Sequence, residues 1–374
     1  MAISLSRPIH INFEIVSECN YHCVFCAAQW EKYRLTSLPT MQIKKIIDKL
    51  VNAEIYSIFF TGGEPFIRKD LIEILKYAVD NGMNVTVSTN GSLITREVAE
   101  RLNKIGIDEV QVSLHGLEKT HERITKVPNS YYLTLRGINY LHEAGIGVIV
   151  ASVGMKTNYR ELPQLARQVA DMGAVAYRVL RLMPNKLELL DQVLEEEESR
   201  WLIEELDKVR HEKKIEIEVH VPPGCFHTRY FNPLLFPKFS HAYTSICTAC
   251  KASMAILSNG DVVPCIELKE IKLGNILHQD VEEIWNSEKC KEMRNLTPST
   301  YTGLCGICPL SHVCYSARCL AYRFNGSLYA DDPTCVLIKQ SQNKKEIFGK
   351  LSRIKLRELK DYADQHILAN TENI

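Results

Sequence analysis

The chain has 374 residues, of which 45% are hydrophobic and 24% charged, enough to bury a large core plus a smaller unit and too apolar for a disordered chain. Lys plus Arg and Asp plus Glu both number 45, so the zero formal charge excludes the footprint of a general nucleic-acid binder or of a protein held electrostatically to a membrane. No apolar run reaches the roughly 18 residues that span a bilayer, and Met1 to Asn12 lacks the apolar core of a signal peptide, so a cytoplasmic protein is expected.

From residue 10 to about residue 220, β-rich runs alternate with amphipathic stretches, the α/β signature. The pattern predicts strands at His10 to Val16, Ser57 to Thr61, Val85 to Thr89, Glu109 to Leu114, Gly147 to Val153 and Ala176 to Leu182. Helix-period segments lie between them, among them Met41 to Ala53, Leu71 to Asn81 and Arg96 to Ile105. Six such units predict a partial (β/α)6 TIM-like barrel over residues 1–221. Gly82, Gly106, Gly145 and Gly173 each follow a helical stretch, where a left-handed cap is required. Asp191 to Lys214 reads as a surface helix with one solvated face. Prolines and aromatic residues then break both periodicities over 222–246, which reads as a bridge. A small cysteine-rich domain is expected over 247–336 and a C-terminal helix over 337–374.

Thirteen cysteines are an odd number and far more than core packing needs. In a reducing compartment such thiols serve metals or catalysis. Cys19, Cys23 and Cys26 form C-x3-C-x2-C directly after the first strand. Three thiolates on one tight loop can hold three irons of a 4Fe-4S cluster and leave the fourth without a protein ligand. The competing reading is zinc, whose structural sites take four closed ligands.

These residues resemble the hallmark of the radical S-adenosylmethionine (SAM) superfamily. The resemblance implies that the open iron binds the amino and carboxylate groups of SAM. It further implies that one electron breaks the S–C5′ bond to give a 5′-deoxyadenosyl radical. Phe25 matches the aromatic position beside adenine. Gly62, Gly63, Glu64 and Pro65 end the second strand and resemble the family's GGEP motif, which holds the methionyl amine. Ser88, Asn90 and Ser113, at the ends of the next two strands, match places that contact SAM or line the substrate pocket. His115 stands where relatives commonly have aspartate, and Arg123, Asn158 and Arg178 are weaker candidates.

Nine of the thirteen cysteines lie between residues 247 and 335. Cys247-x2-Cys250 with Cys305-x2-Cys308 would suit a zinc ribbon, which leaves further cysteines unexplained. The run from Cys250 through Cys265, Cys305, Cys308, Cys314 and Cys319 to Cys335 resembles the SPASM auxiliary domain, which binds two more 4Fe-4S clusters. Four residues separate Cys314 from Cys319 where the family usually has three. Mapped by resemblance, Cys247, Cys250, Cys265 and Cys319 hold one cluster, and Cys305, Cys308, Cys314 and Cys335 the other. Cys290 and Cys225 are read as packed thiols.

The implied cofactors are SAM and three 4Fe-4S clusters, one that cleaves SAM and two auxiliary. The implied activity is hydrogen abstraction, first from a peptide or protein in the manner of a maturase that crosslinks or oxidises. The alternative is an oxidoreductase or epimerase acting on a sugar, tetrapyrrole or other small molecule. An electron donor such as flavodoxin or ferredoxin is expected. Only 18 residues precede Cys19, so a peptide precursor is expected to need a separate leader-binding protein or another docking surface. Ile266 follows Cys265 where sulfatase maturases carry a catalytic aspartate, which argues against that activity. A purely electron-carrying iron–sulfur protein would leave the GGEP resemblance unexplained.

Overall fold

Alternating side chains decide where the strands lie. Ile11, Phe13 and Ile15 of β1 (His10–Val16) are buried in the same apolar core as Ile43, Ile46, Ile47 and Leu50 of α1 (Thr40–Asn52). The same unit repeats through β2 (Ser57–Gly62), α2 (Leu71–Asp80), β3 (Asn84–Thr89), α3 (Arg96–Lys104) and β4 (Glu109–Ser113). It continues through α4 (Glu118–Thr125), α5 (Ser130–Glu143), β5 (Gly147–Gly154), α6 (Leu162–Asp171) and β6 (Ala176–Arg181). The six strands expected from the sequence are all present and parallel, each hydrogen-bonded to the next. Gly82, Gly106, Gly145 and Gly173 adopt φ of +82°, +84°, +82° and +86°, the left-handed geometry their positions require.

The computed structural model describes residues 5–26, 29, 32–220, 242–243, 247–308, 317–335 and 338. Most of the 222–246 bridge with Cys225, Cys314, and the 337–374 helix apart from residue 338 lie outside the described residues. The helix expected at 191–214 is α7 (Glu196–Lys213), and it is followed by a further parallel strand, β7 (Glu216–His220), next to β6. β8 (Ala242–Tyr243) pairs with β7 in turn.

β9 (Ser253–Ile256) runs parallel to β1 and extends the barrel sheet on its other side. It turns back into β10 (Asp261–Val263), with Gly260 at φ +86° in the connection, and β11 (Gly274–Asn275) follows β10 antiparallel. The result is one eleven-stranded sheet in the order β11-β10-β9-β1 to β8. The cysteine-rich segment is therefore joined edge-on to the strand that leads into Cys19. Trp285 of α8 (Val281–Trp285) donates its Nε1–H to the Leu5 carbonyl at 3.0 Å, and the Ser17 and Ser258 hydroxyls meet at 2.9 Å. Lys269 forms a buried ion pair with Glu14 of β1, both side chains at most 3% exposed. The chain ends its described part with α9 (Glu288–Arg294), α10 (Gly303–Ile307) and α11 (Arg318–Asn325). No described helix is long and apolar enough to cross a membrane.

Candidate active site

The loop carrying Cys19, Cys23 and Cys26 leaves the C-terminal end of β1, where the βα loops of a parallel barrel build sites. Four elements hold it. Gly63 and Glu64 at the end of β2 donate their N–H groups to the carbonyls of Val16 and Glu18, each at 2.8 Å. His22 and Val24 donate to Thr125 and Ile124 at the end of α4, both at 3.0 Å. Asn90, after β3, donates its side-chain amide to Asn20 at 2.8 Å, and Asn185, after β6, donates to the Cys26 carbonyl at 3.1 Å.

The GGEP segment is shaped by this backbone contact. Gly62 has φ +143°, and a Cβ there would lie 2.2 Å from the Val16 carbonyl oxygen. Pro65 is buried and opens a short 3-10 turn. Glu64 is fully buried; its carboxylate accepts from the Thr89 hydroxyl and the Asn90 N–H, both at 2.7 Å, and from the Phe66 N–H at 3.1 Å. A carboxylate has about four lone-pair sites, so three donors leave room for one more. Burial pushes this carboxyl up to about 7, against the pull of those donors.

The three thiols feel one another's charge, and each is partly exposed. Burial raises the Cys19 thiol to about 12, offset in part by the Tyr21 N–H that donates to Sγ at 3.4 Å, and burial raises Cys23 also. Thiols held this high are protonated at neutral pH, and a metal must displace their protons to bind. Three neighbouring thiols from one loop fit a cluster with one open iron. Among the described residues, no three His, Cys, Asp or Glu side chains converge on a point that a single ion would fill.

Phe25 packs beside Met155, Leu182 and Val193 and meets the His115 ring edge-on, centroids 4.7 Å apart. The Val153 N–H donates to His115 Nδ1 at 3.3 Å, which places the proton of the neutral ring on Nε2. Burial, then the charge of His121, lowers His115 to about 3, so the ring stays neutral. Asn158 is buried and donates to the carbonyls of His115 at 2.7 Å and Val153 at 2.8 Å, a structural role. Arg178 pairs with Glu218 on β7 at 2.9 Å, and Arg123 is exposed on α4. Ser88 accepts from Gln111 at 3.4 Å, and Ser113 is half-buried at the end of β4.

Asn185 and Arg181 are side chains that sequence reasoning missed. Asn185 Oδ1 and Arg181 Nη1 are buried without a hydrogen-bond partner among the described residues. Arg181 ends β6 and feels Glu267, Cys319 and His220, so it lies between the barrel and the cysteine-rich segment. Arg323 of α11 ties the same two parts, donating to Pro184 O at 2.9 Å and to the Glu267 carboxylate at 3.2 Å.

In the cysteine-rich segment, Cys247, Cys265 and Cys319 are electrostatic neighbours. Burial raises Cys265 to about 12 and Cys319 well above its usual value. Cys305, Cys308 and Cys335 lie among α10, its end and the 331–335 turn, where the Cys305 N–H is accepted by Asp331 at 2.7 Å.

The family model for the radical SAM superfamily matches residues 13–169, and the model for an iron-sulfur cluster-binding domain, SPASM, matches residues 247–309. Among curated proteins, the chain is 29% identical to the AdoMet-dependent heme synthase of Methanosarcina barkeri, over 90% of this chain and 98% of that protein. It is 28% identical to the mycofactocin maturase MftC of Mycolicibacterium smegmatis, over 89% of this chain and 83% of that protein. Among solved structures, SuiB of Streptococcus suis bound to precursor peptide SuiA superposes with a TM-score of 0.71 at 19% identity, covering 88% of this chain and 76% of that one, a likeness of fold.

Proposed function

Because this chain belongs to the radical SAM superfamily and carries a SPASM iron–sulfur domain, we propose that it reductively cleaves SAM and abstracts hydrogen from a bound substrate. A 4Fe-4S cluster supplies, when bound, the single electron that breaks the S–C5′ bond of SAM. Cys19, Cys23 and Cys26 would hold it. Gly62 to Pro65 would face the methionyl end of SAM. Glu64 has one lone-pair site left for the ammonium and fixes the Asn90 backbone beside it. Phe25 would lie against adenine, its ring held by His115. Ser88, Asn90 and Ser113 would line the remaining rim. Cys247, Cys250, Cys265 and Cys319 would hold one auxiliary cluster and Cys305, Cys308, Cys314 and Cys335 a second, three clusters in all.

The observation that carries this reading is the anchoring of the three-thiol loop by the Gly63 and Glu64 N–H groups, which builds the cysteine and GGEP motifs into one site. The barrel comprises residues 1–221 in this reading and the auxiliary domain residues 247–336. The substrate is a peptide or protein, as the similarity to a mycofactocin maturase suggests. A second reading, a small carboxylate-bearing molecule, is favoured by the match along 98% of a heme synthase and by Arg181, which lies between the barrel and the cysteine-rich segment with its Nη1 unpartnered among the described residues. Anaerobically reconstituted protein given dithionite and SAM should release 5′-deoxyadenosine and methionine, and changing Cys19, Cys23 and Cys26 to Ala should abolish this with the loss of about four irons. Iron-loaded protein that leaves SAM intact would refute the activity. Product mass spectrometry with peptide and tetrapyrrole mixtures separates the two substrate readings.

A further inference from the structure

Arg318 is a cation enclosed by the cysteine-rich segment. It opens α11 directly before Cys319, and only 3% of it is exposed. One arm of its guanidinium has a structural duty. Nη1 donates to the carbonyls of Leu328 at 3.2 Å and Ala330 at 2.7 Å, which closes the chain after α11 onto the start of that helix. The Tyr301 ring covers the planar face, its centroid 4.2 Å from Cζ. The other arm goes to sulfur: Nη2 donates to Cys305 Sγ at 3.8 Å.

A guanidinium fork is rigid and permanently charged, so the arm aimed at Cys305 brings positive charge to that sulfur at every pH. Such a donor fits a thiolate bound to iron, since a thiol is only a weak acceptor whereas a thiolate takes charge-assisted hydrogen bonds. Asp331 is the carboxylate nearby, and it is turned to backbone, accepting the N–H groups of Cys305 at 2.7 Å and Leu304 at 3.2 Å. Burial raises the Cys305 thiol, the Asp332 N–H and then the Arg318 charge pull it down, and the Asp331 carboxylate pushes upward less strongly than Arg318 pulls. Arg318, not Asp331, is thus the charge this sulfur chiefly feels.

Resting on the reading that Cys305, Cys308, Cys314 and Cys335 hold an auxiliary cluster, we propose that Arg318 acts through Cys305 to raise the reduction potential of that cluster. A four-iron cluster on four thiolates is anionic, and its net charge and the hydrogen bonds to its sulfurs set its potential. Reduction adds one electron, with no change in the bonds to iron and no proton taken up. A fixed cation beside a ligating sulfur therefore stabilises the reduced form more than the oxidised form. The backbone of Arg318 adjoins Cys319, assigned to the other auxiliary cluster, while its charged end lies at Cys305. The effect should accordingly be larger at the Cys305 site than at its neighbour.

The test uses the full chain with Cys19, Cys23 and Cys26 changed to Ala, reconstituted anaerobically to about eight irons so that only the auxiliary sites are read. Electron paramagnetic resonance during a potentiometric titration with dithionite gives the midpoint of each site. The Cys305 site is the signal that disappears when Cys305 and Cys335 are also changed to Ala. Arg318→Met and Arg318→Gln should each weaken the hold of that site on its electron by about tenfold or more, a fall of about 59 mV for a one-electron couple. Arg318→Lys keeps a charge but loses the fork, and it should show less than half of that fall. A purely structural role would move Arg318→Lys as far as Arg318→Met. Equal midpoints in the parent chain and both neutral variants, a fall in Arg318→Lys as large as theirs, or a larger shift at the other auxiliary site would each overturn the proposal. Iron is counted in every variant. Should Arg318→Met fail to hold iron at the Cys305 site, Arg318→Gln against Arg318→Lys decides, and loss of that iron in all three variants would make Arg318 a folding contact and overturn the tuning role. A parent chain without auxiliary iron would instead overturn the reading on which the proposal rests.

Discussion

A methyl group on Gly63 would place its carbon 1.9 Å from the carbonyl oxygen of Glu18, one residue before the first cysteine of the site. Contact is with backbone on both sides, so neither partner can rotate away. Gly63→Ala should therefore displace the cysteine loop, at a cost of about 1 to 3 kcal/mol or more, and lower iron content by about four per chain. Gly82→Ala is the control. Nothing lies within 4 Å of a Cβ there, so only the left-handed backbone is penalised, by about 1 kcal/mol. Iron analysis of the two variants checks the pair; equal iron would deny the loop this dependence on Gly63.

Much of this site could be read from the residues because it is local in sequence. β1 occupies His10–Val16 as the alternation predicts, and the four cap glycines stand where each helix must stop. β7 escaped because Glu216–His220 is only five residues long and directly follows a charged helix, so tertiary pairing with β6 decides its state. The parallel pairing of β9 with β1 is equally hidden, since register between segments so far apart leaves no trace in either. Glu64 reads as a ligand-facing acid from its motif. Its complete burial among Thr89, Asn90 and Phe66 donors depends on how β2 and β3 end side by side.

That burial has a pH signature. The folded Glu64 carboxyl sits at about 7, above its ordinary 4.5. Its contribution to stability is thus fully present below the unfolded value and is lost as pH rises through about 7, to the extent of about 3 kcal/mol at roughly 1.4 kcal/mol per unit. The melting temperature of wild type relative to Glu64→Gln should fall as pH rises between about 5 and about 8. SAM affinity should move the other way, because an ammonium favours the ionised carboxylate. At high pH the variant should bind SAM more weakly by roughly 1.5 to 3 kcal/mol without losing iron. Melting and titration calorimetry at several pH values measure both; a pH-independent difference would contradict the assignment.

The Lys269 and Glu14 pair joins the auxiliary segment to the strand that carries the cysteine loop, and it is almost wholly out of water. Among the described residues Glu14 Oε1 has no hydrogen-bond partner, so the carboxylate depends heavily on the ammonium. Lys269→Met should leave a buried, uncompensated charge and destabilise by about 3 to 5 kcal/mol. Lys269→Met combined with Glu14→Gln should recover most of that loss, since removing both charges also removes their desolvation cost. Denaturant titration under argon gives the comparison. A double variant as unstable as the single one would place the cost in lost packing of the lysine stem.

Generating a radical and using it should be separable through Cys305 and Cys335. Their surroundings are held by bonds that do not involve sulfur: Asp331 accepts the N–H of Cys305 at 2.7 Å and of Leu304 at 3.2 Å, and Asp332 accepts the Ala317 N–H at 2.7 Å. Arg318 of α11 adds two carbonyl contacts across the same turn, to Leu328 at 3.2 Å and Ala330 at 2.7 Å. Replacing both cysteines by Ala should therefore remove about four irons while the segment keeps its fold, which circular dichroism would verify. The ligands proposed for the first site all belong to the loop after β1 and none to this turn, so reductive SAM cleavage should persist near the wild-type rate. Turnover of the true substrate should fall by at least about tenfold, about 1.4 kcal/mol in barrel-to-substrate electron transfer or positioning. A folded variant short of one auxiliary cluster that still converts substrate at the wild-type rate would mean that this cluster serves as scaffold alone.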